Sequence, residues 1–575
     1  MKKLLLCSLT LLTLSACGGG SSSKTPSISI TPTSASLALN GTFRFQVSPS
    51  GTSVTWEVNG VKGGNSTVGT IDSSGNYTAP AKIPSSNPVS VTAVSTAQSS
   101  MTASSQVTIV PVTLNGQYAF SFSGTNVNGS FFIAGSFTSD GAGNLTGGIE
   151  DINSATGVTK AIALSGSYTV GVDGRGVISF KANGKTQTLA FVIETGNHAQ
   201  IIWFDNAANG SGTIDKQASA AFSLSSLKGN YAFGFDGVDG SGFTLSWVGT
   251  FTLATGTVTA GQSDLNDQGH VLAKTVTGGS FNAPDTNGRG TGTIDFAAVT
   301  FNYAYYIVSA SKLVFIQIDS QDGVVGTAEL QPSQTFSSQS LAGNYAFSLG
   351  GVNTIGAIAE AGQFNANGTT FVLSGEVTEN NNTTLNSGAV LSGTNTGIVS
   401  NGRGTMTLNL PVGTASFVFY MVSTSQAFIL ETDTNQVTSG QILAQGGGPF
   451  QASTLTGNVG FQVSGVAFFF TSFSSSNAPV DKSGQFLSDG ISAFKSGTED
   501  LNRPGQTPFS TPIISGSGYT VDSTGRGSLT ITINSGGTAS TTYDFYFVTP
   551  TQILLIGTDT VSSQVTLGAG QSQPF

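Results

Sequence analysis

Apolar and polar residues alternate over short runs through most of the 575-residue chain, and no stretch of useful length shows a helical period. The run "QYAFSFS" at 117–123 is one example, and turn dipeptides such as Asn183-Gly184 and Asn209-Gly210 separate such runs. A period of two bounded by Gly, Asn and Asp is typical of strands joined by tight hairpins. The pattern therefore predicts an all-β protein.

The strand pattern recurs at a nearly fixed interval. "LNGQYAFSFSG" begins at Leu114 and returns with changes at Leu227, Leu341 and Leu455. About eight strands fit into each copy, which predicts an antiparallel meander closed into a small barrel. We expect four such repeats, at 112–218, 219–332, 333–446 and 447–575, as separate beads on a string. The last copy is longer, and we expect its insertion near 474–482 or 503–512.

The segment 26–111 also reads as short strands with turn signals between them. Trp56 lies in mid-strand, and "VGTID" at 68–72 is followed by "GNYTAP" at 75–80. On these residues the segment resembles the bacterial immunoglobulin-like domains of group 2 type. That resemblance implies a sandwich with Trp56 in its core, used as a stalk or adhesive unit. The repeats also resemble avidin- and lipocalin-type small barrels through "GAGNLTGGIEDIN", but no ligand-site residues carry over.

The N-terminal segment 1–25 reads as a targeting sequence. Lys2 and Lys3 precede an apolar run at 4–14 that is too short to cross a bilayer, which indicates a signal peptide at 1–16. "LSAC" at 14–17 resembles the lipobox of bacterial lipoproteins, which implies acylation of Cys17 and attachment to a membrane. Gly18 after the cysteine implies the outer membrane, on its surface or periplasmic face. The segment 17–25 then forms a flexible Gly/Ser tether.

Composition excludes several classes of function. The formal net charge is −10 and the pI is about 4.6, so no basic face is available for nucleic acid. Cys7 and Cys17 are the only cysteines, which leaves no disulfide or cysteine metal site in the mature chain. His198 and His270 are not equivalent between repeats, and no nucleophile, zinc or phosphate-loop motif occurs. We therefore predict a protein that is not an enzyme and holds no metal or cofactor.

Gly-Arg-Gly is the motif that recurs most clearly. The chain has six arginines, and four of them are the centres of this triplet: Arg175, Arg289, Arg403 and Arg526. Each triplet follows a turn, so the first Gly can adopt positive φ and the second can allow a backbone or ring to approach closely. We expect each arginine to begin a strand and to clamp a hairpin of its own repeat. A ligand-binding arginine is the alternative.

Two sets of acidic residues recur with the arginines. The first set follows an apolar strand at a nearly constant spacing after the arginine, at Asp205, Asp319, Asp433 and Asp559. In an eight-strand meander this set lies at the opposite end from the arginines, so the two should not pair. The second set is Asp151, Asp264, Glu379 and Asp500, in "EDIN", "SDLN", "TENN" and "EDLN". We expect both sets at one end, as Asx turns or as an acidic rim for a cation or hydroxyl-rich ligand.

Aromatic residues recur at a constant spacing before the first acidic set, at Phe191, Tyr305, Phe419 and Phe545. Core packing is the simpler interpretation of these rings, and a carbohydrate-stacking platform is the alternative.

These observations together predict a lipid-anchored protein of the bacterial cell envelope. The stalk and four repeats suit adhesion or weak multivalent binding to a polysaccharide or a surface partner. An array of barrels that each bind a small ligand is one alternative, and a purely structural envelope protein is another. A transmembrane barrel has less support, because "GAGQSQPF" at the C-terminus lacks alternation. The sequence leaves the partner and the oligomeric state open.

Overall fold

The computed structural model describes residues 27–39, 41–110, 112–297, 299–319, 322–332, 335–381, 384–434, 436–471, 474–503, 506–559 and 564–573. The chain forms two compact units, Met1–Val110 and Pro111–Phe575. Both are built from strands, so the predicted all-β fold is confirmed. The predicted signal peptide, Cys17 and most of the tether lie outside the described residues. No helix among the described residues is long and apolar enough to cross a membrane.

The first unit contains short strands arranged in sheets of five, four and two. The five-stranded sheet has the order β2-β11-β10-β5-β6 and the four-stranded sheet the order β3-β9-β8-β7, while β1 pairs with β4. Trp56 and Tyr77 are buried in its core, and the Tyr77 hydroxyl donates to the Val68 carbonyl at 2.6 Å. Its immunoglobulin-like character remains a prediction. Its strands are β1 Ser29–Thr31, β2 Ser34–Ala38, β3 Thr42–Arg44, β4 Gln46–Ser48, β5 Val54–Val58, β6 Val61–Lys62, β7 Gly64–Asn65, β8 Gly69–Ile71, β9 Asn76–Thr78, β10 Val89–Ser95 and β11 Thr102–Val110.

The next three repeats are closed eight-stranded antiparallel barrels in sequence order, as the meander predicts. The first strand of each pairs with both the second and the eighth, which closes the barrel. Barrel 1 has β12 Asn115–Asn126, β13 Gly129–Asp140, β14 Asn144–Ser154, β15 Gly157–Val170, β16 Arg175–Ala182, β17 Lys185–Thr195, β18 His198–Trp203 and β19 Ala208–Lys216. Barrel 2 has β20 Lys228–Val238, β21 Thr244–Ala254, β22 Thr257–Asp267, β23 His270–Phe281, β24 Arg289–Phe296, β25 Val299–Ser309, β26 Lys312–Gln317 and β27 Gly323–Leu330. Barrel 3 has β28 Gly343–Asn353, β29 Ala357–Ala366, β30 Val372–Asn380, β31 Leu385–Thr396, β32 Arg403–Leu410, β33 Gly413–Ser423, β34 Gln426–Glu431 and β35 Gln436–Ala444.

The fourth repeat departs from the eight-strand prediction. It is a nine-stranded sheet in which the fourth strand is split into two short strands, and these two strands are the edges of the sheet. We call this repeat barrel 4, because its strand order otherwise follows that of the three closed barrels. Its extra residues lengthen the first hairpin, because the interval from Gly362 to its counterpart Gly484 is longer than the interval from Phe347 to Phe461. Its strands are β36 Thr456–Thr471, β37 Ser474–Asp489, β38 Phe494–Asn502, β39 Phe509–Pro512, β40 Gly518–Val521, β41 Arg526–Asn534, β42 Thr538–Thr549, β43 Gln552–Gly557 and β44 Gln564–Ser572.

The four repeats pack into a ring, which contradicts the expectation of separate beads. The second strand of each barrel contacts the eighth strand of the next one: β13 contacts β27, β21 contacts β35, and β29 contacts β44. In the same way β37 of barrel 4 contacts β19 of barrel 1, which closes the ring. The outward faces of these strands carry apolar residues where separate beads would carry polar ones. Burial of that surface explains why the copies associate.

The ring has two distinct ends. The chain enters each barrel at the end that we call the linker end, which also carries the turn before each Gly-Arg-Gly triplet. The opposite end, which we call the hairpin end, carries the hairpin between the first and second strands of every barrel. The alternation of strand direction places these features at the same end in all four copies.

Candidate functional site

The arginines of the Gly-Arg-Gly triplets bridge neighbouring barrels. In three of the four interfaces the guanidinium binds a carboxylate on the third strand of the preceding barrel. The pairs are Arg289 with Asp151 at 2.7 Å, Arg403 with Asp264 at 2.8 Å and Arg175 with Asp500 at 2.5 Å. Two parallel N–H···O bonds form in each pair, which fixes the approach of the two barrels. The expectation that each arginine contacts its own repeat is therefore wrong for these ion pairs of Arg175, Arg289 and Arg403.

A tyrosine completes two of these bridges. The hydroxyls of Tyr306 and Tyr420 donate to Asp151 and Asp264, each at 2.6 Å. Burial, followed by the nearby Asp151 carboxylate, holds the pKa of Tyr306 well above its usual value. The phenol is therefore a permanent donor to the carboxylate.

At the interface between barrels 3 and 4 the carboxylate has moved to the other barrel. Thr378 is the counterpart of Asp151 in the strand register. Asp151 pairs with Ala134 of the second strand of barrel 1, and Thr378 pairs with Ala361, which occupies the same position in barrel 3. Arg526 instead binds Asp544 of its own barrel at 2.7 Å, and Thr378 donates to that carboxylate at 2.6 Å. One carboxylate is thus retained at the interface, although its strand of origin changes.

The same register corrects the second acidic set. Glu379 is not equivalent to the three aspartates, because it lies one position later and pairs with Glu360 inside barrel 3. Burial raises the pKa of both carboxyls. Asp151, Asp264 and Asp500 lie within interfaces and not at one end of a barrel. The second set therefore forms no acidic rim, although Asp239, Asp267, Asp319 and Asp322 lie near one another at the hairpin end of barrel 2. The described residues contain no group of three metal-ligating side chains suited to a metal ion.

The first acidic set holds backbone at strand ends. Each of three aspartates that follow the seventh strand accepts an N–H from the sixth strand of its own barrel. The bonds run from Thr188 to Asp205 at 3.0 Å, from Asn302 to Asp319 at 2.8 Å and from Ser416 to Asp433 at 2.9 Å. Asp559 occupies the same turn in barrel 4 and is buried. The ion pairs of the four triplet arginines go to other carboxylates, as the eight-strand plan predicts.

The glycines of the triplets have the two roles that the sequence indicates. The first glycine has positive φ in every copy, at 77°, 71°, 87° and 90° in Gly174, Gly288, Gly402 and Gly525. A Cβ on the second glycine would overlap the ring of the recurrent aromatic, as for Gly176 against Phe191. The recurrent aromatics Phe191, Tyr305, Phe419 and Phe545 are fully buried core residues, so they form no exposed sugar platform.

The sequence interpretation missed an asparagine that crosses every interface. Asn153, Asn266, Asn380 and Asn502 each donate through Nδ2 to two backbone carbonyls of the neighbouring barrel, at 2.7–3.0 Å. A glutamine after the eighth strand makes similar bonds to the next barrel, as Gln217 does to Ile307 and Gln573 to Ile193. The signal was present, because the asparagine ends "EDIN", "SDLN" and "EDLN" and is the third residue of "TENN".

The interface that closes the ring, between barrels 4 and 1, is more polar than the other three. Where those have Tyr and Val on the sixth strand, barrel 1 has Val192 and the buried Glu194. Barrel 4 contributes the buried Asp481, which accepts the Gly210 N–H at 2.7 Å. Burial raises the pKa of Glu194 to about 7 and that of Asp481 to about 6. Ionised carboxylates at this interface therefore carry a desolvation cost.

The hairpin end exposes apolar side chains in the equivalent turns of three barrels. Val127, Phe243 and Ile355 occupy the first-hairpin turns of barrels 1, 2 and 3 and are 97%, 55% and 59% exposed. Grooves of about 670 and 320 Å³ lie beside these hairpins, between barrels 1 and 2 and between barrels 2 and 3. The linker end also exposes apolar residues, at Val172, Val399 and Ile491, so the hairpin end is distinguished by these two grooves beside its turns. Exposed apolar groups beside a groove are typical of contact surfaces.

Comparisons with known proteins add limited information. No protein-family model and no curated protein sequence matches the chain. A solved structure of the isotype 1 transferrin binding protein B from serogroup B Neisseria meningitidis is 10% identical, covering 65% of this chain and 82% of that chain, with a TM-score of 0.19. A double mutant of transferrin binding protein B from Haemophilus parasuis is 11% identical over 67% and 86% of the two chains, also at 0.19. A DUF3598-family protein of unknown function from Nostoc punctiforme is 8% identical over 41% and 99%, at 0.13. We draw no functional conclusion from likenesses at these scores.

Proposed function

We propose that this protein is a lipid-anchored component of the bacterial cell envelope that binds a surface partner, without catalysis, through the hairpin end of its barrel ring. The observation that carries the proposal is the recurrence of exposed Val127, Phe243 and Ile355 at equivalent turns. The predicted signal peptide at 1–16 and the lipobox-like segment that ends at Cys17 support the envelope location. The anchor lies at the N-terminus, and the chain enters the ring at the linker end, opposite the apolar turns.

The chemistry of the surface favours a protein partner with apolar side chains over a polysaccharide. Aliphatic and aromatic side chains at the turns gain free energy by leaving water, at about 25 cal/mol per Å² of buried apolar area. Such a contact depends little on salt, because ionic screening acts on charges. The recurrent arginines and aspartates are used within the ring, so they are not available as an ionic site.

The closed ring changes how repetition contributes to binding. Independent beads would each contribute a separate weak contact, but packed barrels present their turns as one fixed surface. An isolated barrel would expose apolar interface residues such as Tyr306 and Ile316, so it is not a fair test of single-site binding. The packed interiors of barrels 2 and 3 also argue against an array of four ligand-filled barrels.

The proposal can be tested with matched variants of the full chain. Val127→Ser, Phe243→Ser and Ile355→Ser together should weaken binding to the partner cell surface about tenfold or more, since three apolar contacts are removed. Val172→Ser, Val399→Ser and Ile491→Ser provide the control, because these side chains are similarly exposed, at 54%, 50% and 73%, in turns at the linker end. Binding of fluorescent protein to intact cells is the measurement. Equal loss in both variants, or no loss in the first, would contradict the proposal.

A further inference from the structure

Barrel 1 contains a cavity at its hairpin end that the function proposed above does not use. The cavity has a volume of about 310 Å³, within the lower range of small-molecule sites. Its lining includes Phe131, Ile133, Ile152 and Trp203 as apolar walls, with Glu150 and Gln187 as polar groups. The mouths of small barrels are common places for ligands, because the strands diverge there from the packed core.

The polar group of the cavity is a buried carboxyl with one free oxygen. Glu150 is 0% exposed, and its Oε1 accepts a hydrogen bond from Gln187 Nε2 at 3.2 Å. Its Oε2 is buried and has no hydrogen-bond partner. Burial raises the pKa of Glu150 to about 7. An unpartnered buried acceptor is costly and calls for a donor at that position.

Two aromatic rings form part of the apolar wall, while Asn, Ser and Thr side chains also line the cavity. Phe131 and Trp203 lie 5.5 Å apart between ring centroids, in an edge-to-face arrangement. The indole N–H of Trp203 donates to Asp205 at 2.5 Å, so its donor is already used. The rings can therefore pack against an apolar body or a cation.

Comparison with barrel 2 shows why the cavity exists. Ile133 stands where barrel 2 has Trp247, since each pairs with the last phenylalanine in the first strand of its barrel. Trp247 packs against Phe296 at 4.6 Å and Phe301 at 5.4 Å between ring centroids, which fills the mouth of barrel 2.

The two phenylalanines of barrel 2 are also replaced by smaller residues. Ala182 ends the fifth strand where Phe296 does, and Gln187 is the third residue of the sixth strand where Phe301 is. Barrel 1 thus lacks three aromatic rings that barrel 2 has at these positions, while Phe131 and Trp203 stand where barrel 2 has Leu245 and Gln317. At the position of Glu150, barrel 2 has Ser263. The empty volume and the free carboxyl occur together in barrel 1.

We propose that the mouth of barrel 1 is a binding site for a small organic amine with an apolar body, whose ammonium pairs with Glu150 and whose body packs between Phe131, Ile133 and Trp203. An ammonium supplies the missing donor and the compensating charge. A neutral alcohol could donate a hydrogen bond but would not compensate an ionised carboxylate. The exposed Lys185 lies at the rim of the cavity and not among its buried walls.

The test uses 2-phenylethylamine and 3-methylbutylamine as probes on the full chain, with binding followed by calorimetry and by Trp fluorescence. Both amines should bind at millimolar concentration or below, and 2-phenylethanol should bind about tenfold or more weakly. Amine affinity should rise as pH increases through about 7, because the ionised carboxyl is the binding form. No binding of either amine at about 10 mM, or equal binding of the alcohol, would overturn the proposal.

Three variants separate the site from a general effect on the fold. Glu150→Gln keeps the shape but removes the charge, and it should lower amine affinity about tenfold. Ile133→Trp restores the ring of barrel 2 and should abolish binding while circular dichroism shows a folded protein. Glu194→Gln is the control, since Glu194 is a second buried glutamate of barrel 1 that lies outside the cavity. Unchanged binding in both Glu150→Gln and Ile133→Trp would also overturn the site.

Discussion

Three interfaces of the ring join barrels that are consecutive in the chain. The fourth joins barrel 4 to barrel 1, which are the last and the first repeats in the sequence. The consecutive interfaces are built around apolar residues, such as Val308, Ile316 and Tyr306 between barrels 1 and 2. At the closing interface the counterparts of those three residues are Glu194, Ile202 and Val192. The same framework thus associates through apolar burial in three places and through a more polar contact in the fourth.

The difference indicates where the ring is easiest to open. Apolar surfaces gain free energy on burial at any pH, but buried carboxyls contribute differently in each protonation state. The short linkers hold consecutive barrels near one another, and this advantage is absent between the first and last barrels. We therefore expect the closing interface to open before the others.

The largest difference in stability between the consecutive and the closing interfaces should appear when the carboxylate that binds the arginine is removed. Asp151→Ala leaves Arg289 and the buried Tyr306 without their acceptor, which should lower the free energy of unfolding by about 3 kcal/mol or more. Asp500→Ala should cost less, because Arg175 also lies 3.5 Å from Asp173 and the closing interface has no tyrosine at this place. Denaturant unfolding of both variants checks the order. A larger loss for Asp500→Ala would contradict the comparison.

The displaced carboxylate between barrels 3 and 4 can be reproduced between barrels 2 and 3. Asp264→Thr and Val418→Asp together recreate the arrangement of Thr378 and Asp544, because Val418 is the counterpart of Asp544. Each single change should destabilise the protein, and the pair should recover about 1–3 kcal/mol relative to additivity. A thermodynamic cycle from urea unfolding measures this coupling, and strict additivity would show that the two arrangements are not equivalent.

Part of the pH dependence of stability should be traceable to the closing interface, beside the contributions of Glu150 and Glu431, whose pKa values burial also raises to about 7. Glu194 has a pKa of about 7 in the folded chain against 4.5 normally, so the folded state holds a proton that the unfolded state releases. Its contribution is present at low pH and is lost as pH rises through about 7; the raised pKa of His198 acts in the same direction.

The denaturant midpoint of unfolding should therefore decrease as the pH is raised from 5 to 8. The contribution of Glu194 to this decrease is equivalent to about 1–3 kcal/mol. Glu194→Gln should flatten part of this slope. Val308→Gln is the control, because Val308 is the counterpart of Glu194 between barrels 1 and 2. It introduces the same amide at a position without a titrating group, so it should leave the change of stability with pH as in the wild type. A slope that is identical in wild type and Glu194→Gln would place the titration elsewhere.

The sequence supported the strands, the repeats and the geometry of the glycines, because those follow from local pattern. Gly174 and Gly176 take the predicted roles since both depend on residues within one hairpin and its neighbouring strand. The ring could not be predicted in this way. The outward apolar residues of the sixth strand were visible in "YAYYIV" at 303–308, but their partners lie on another barrel, in a distant part of the sequence.

The acidic residues illustrate the same limit. Asp151 and Arg289 were both identified, but the pairing across an interface depends on how two barrels dock. The sequence pattern points to Glu379 because a glutamate lies next to Thr378, whereas the acidic role at this interface belongs to Asp544. Asn153 and its counterparts carried a clearer signal, since one residue type is kept at one place in all four copies.

Closure of the ring is the central claim, and a disulfide between barrels 4 and 1 tests it most directly. A Cβ on Gly460 would lie 2.9 Å from Cγ2 of Val192, which suits a cysteine pair at these positions. In a chain with Cys7 and Cys17 changed to Ser, Gly460→Cys with Val192→Cys should form an intramolecular disulfide, seen as faster migration on a non-reducing denaturing gel. Val192→Cys with Ala232→Cys, the counterpart of Gly460 in barrel 2, should not. Rapid, near-complete formation in the first pair alone is the result that the ring predicts. Failure of the first pair to form, or equal formation in both, would contradict it.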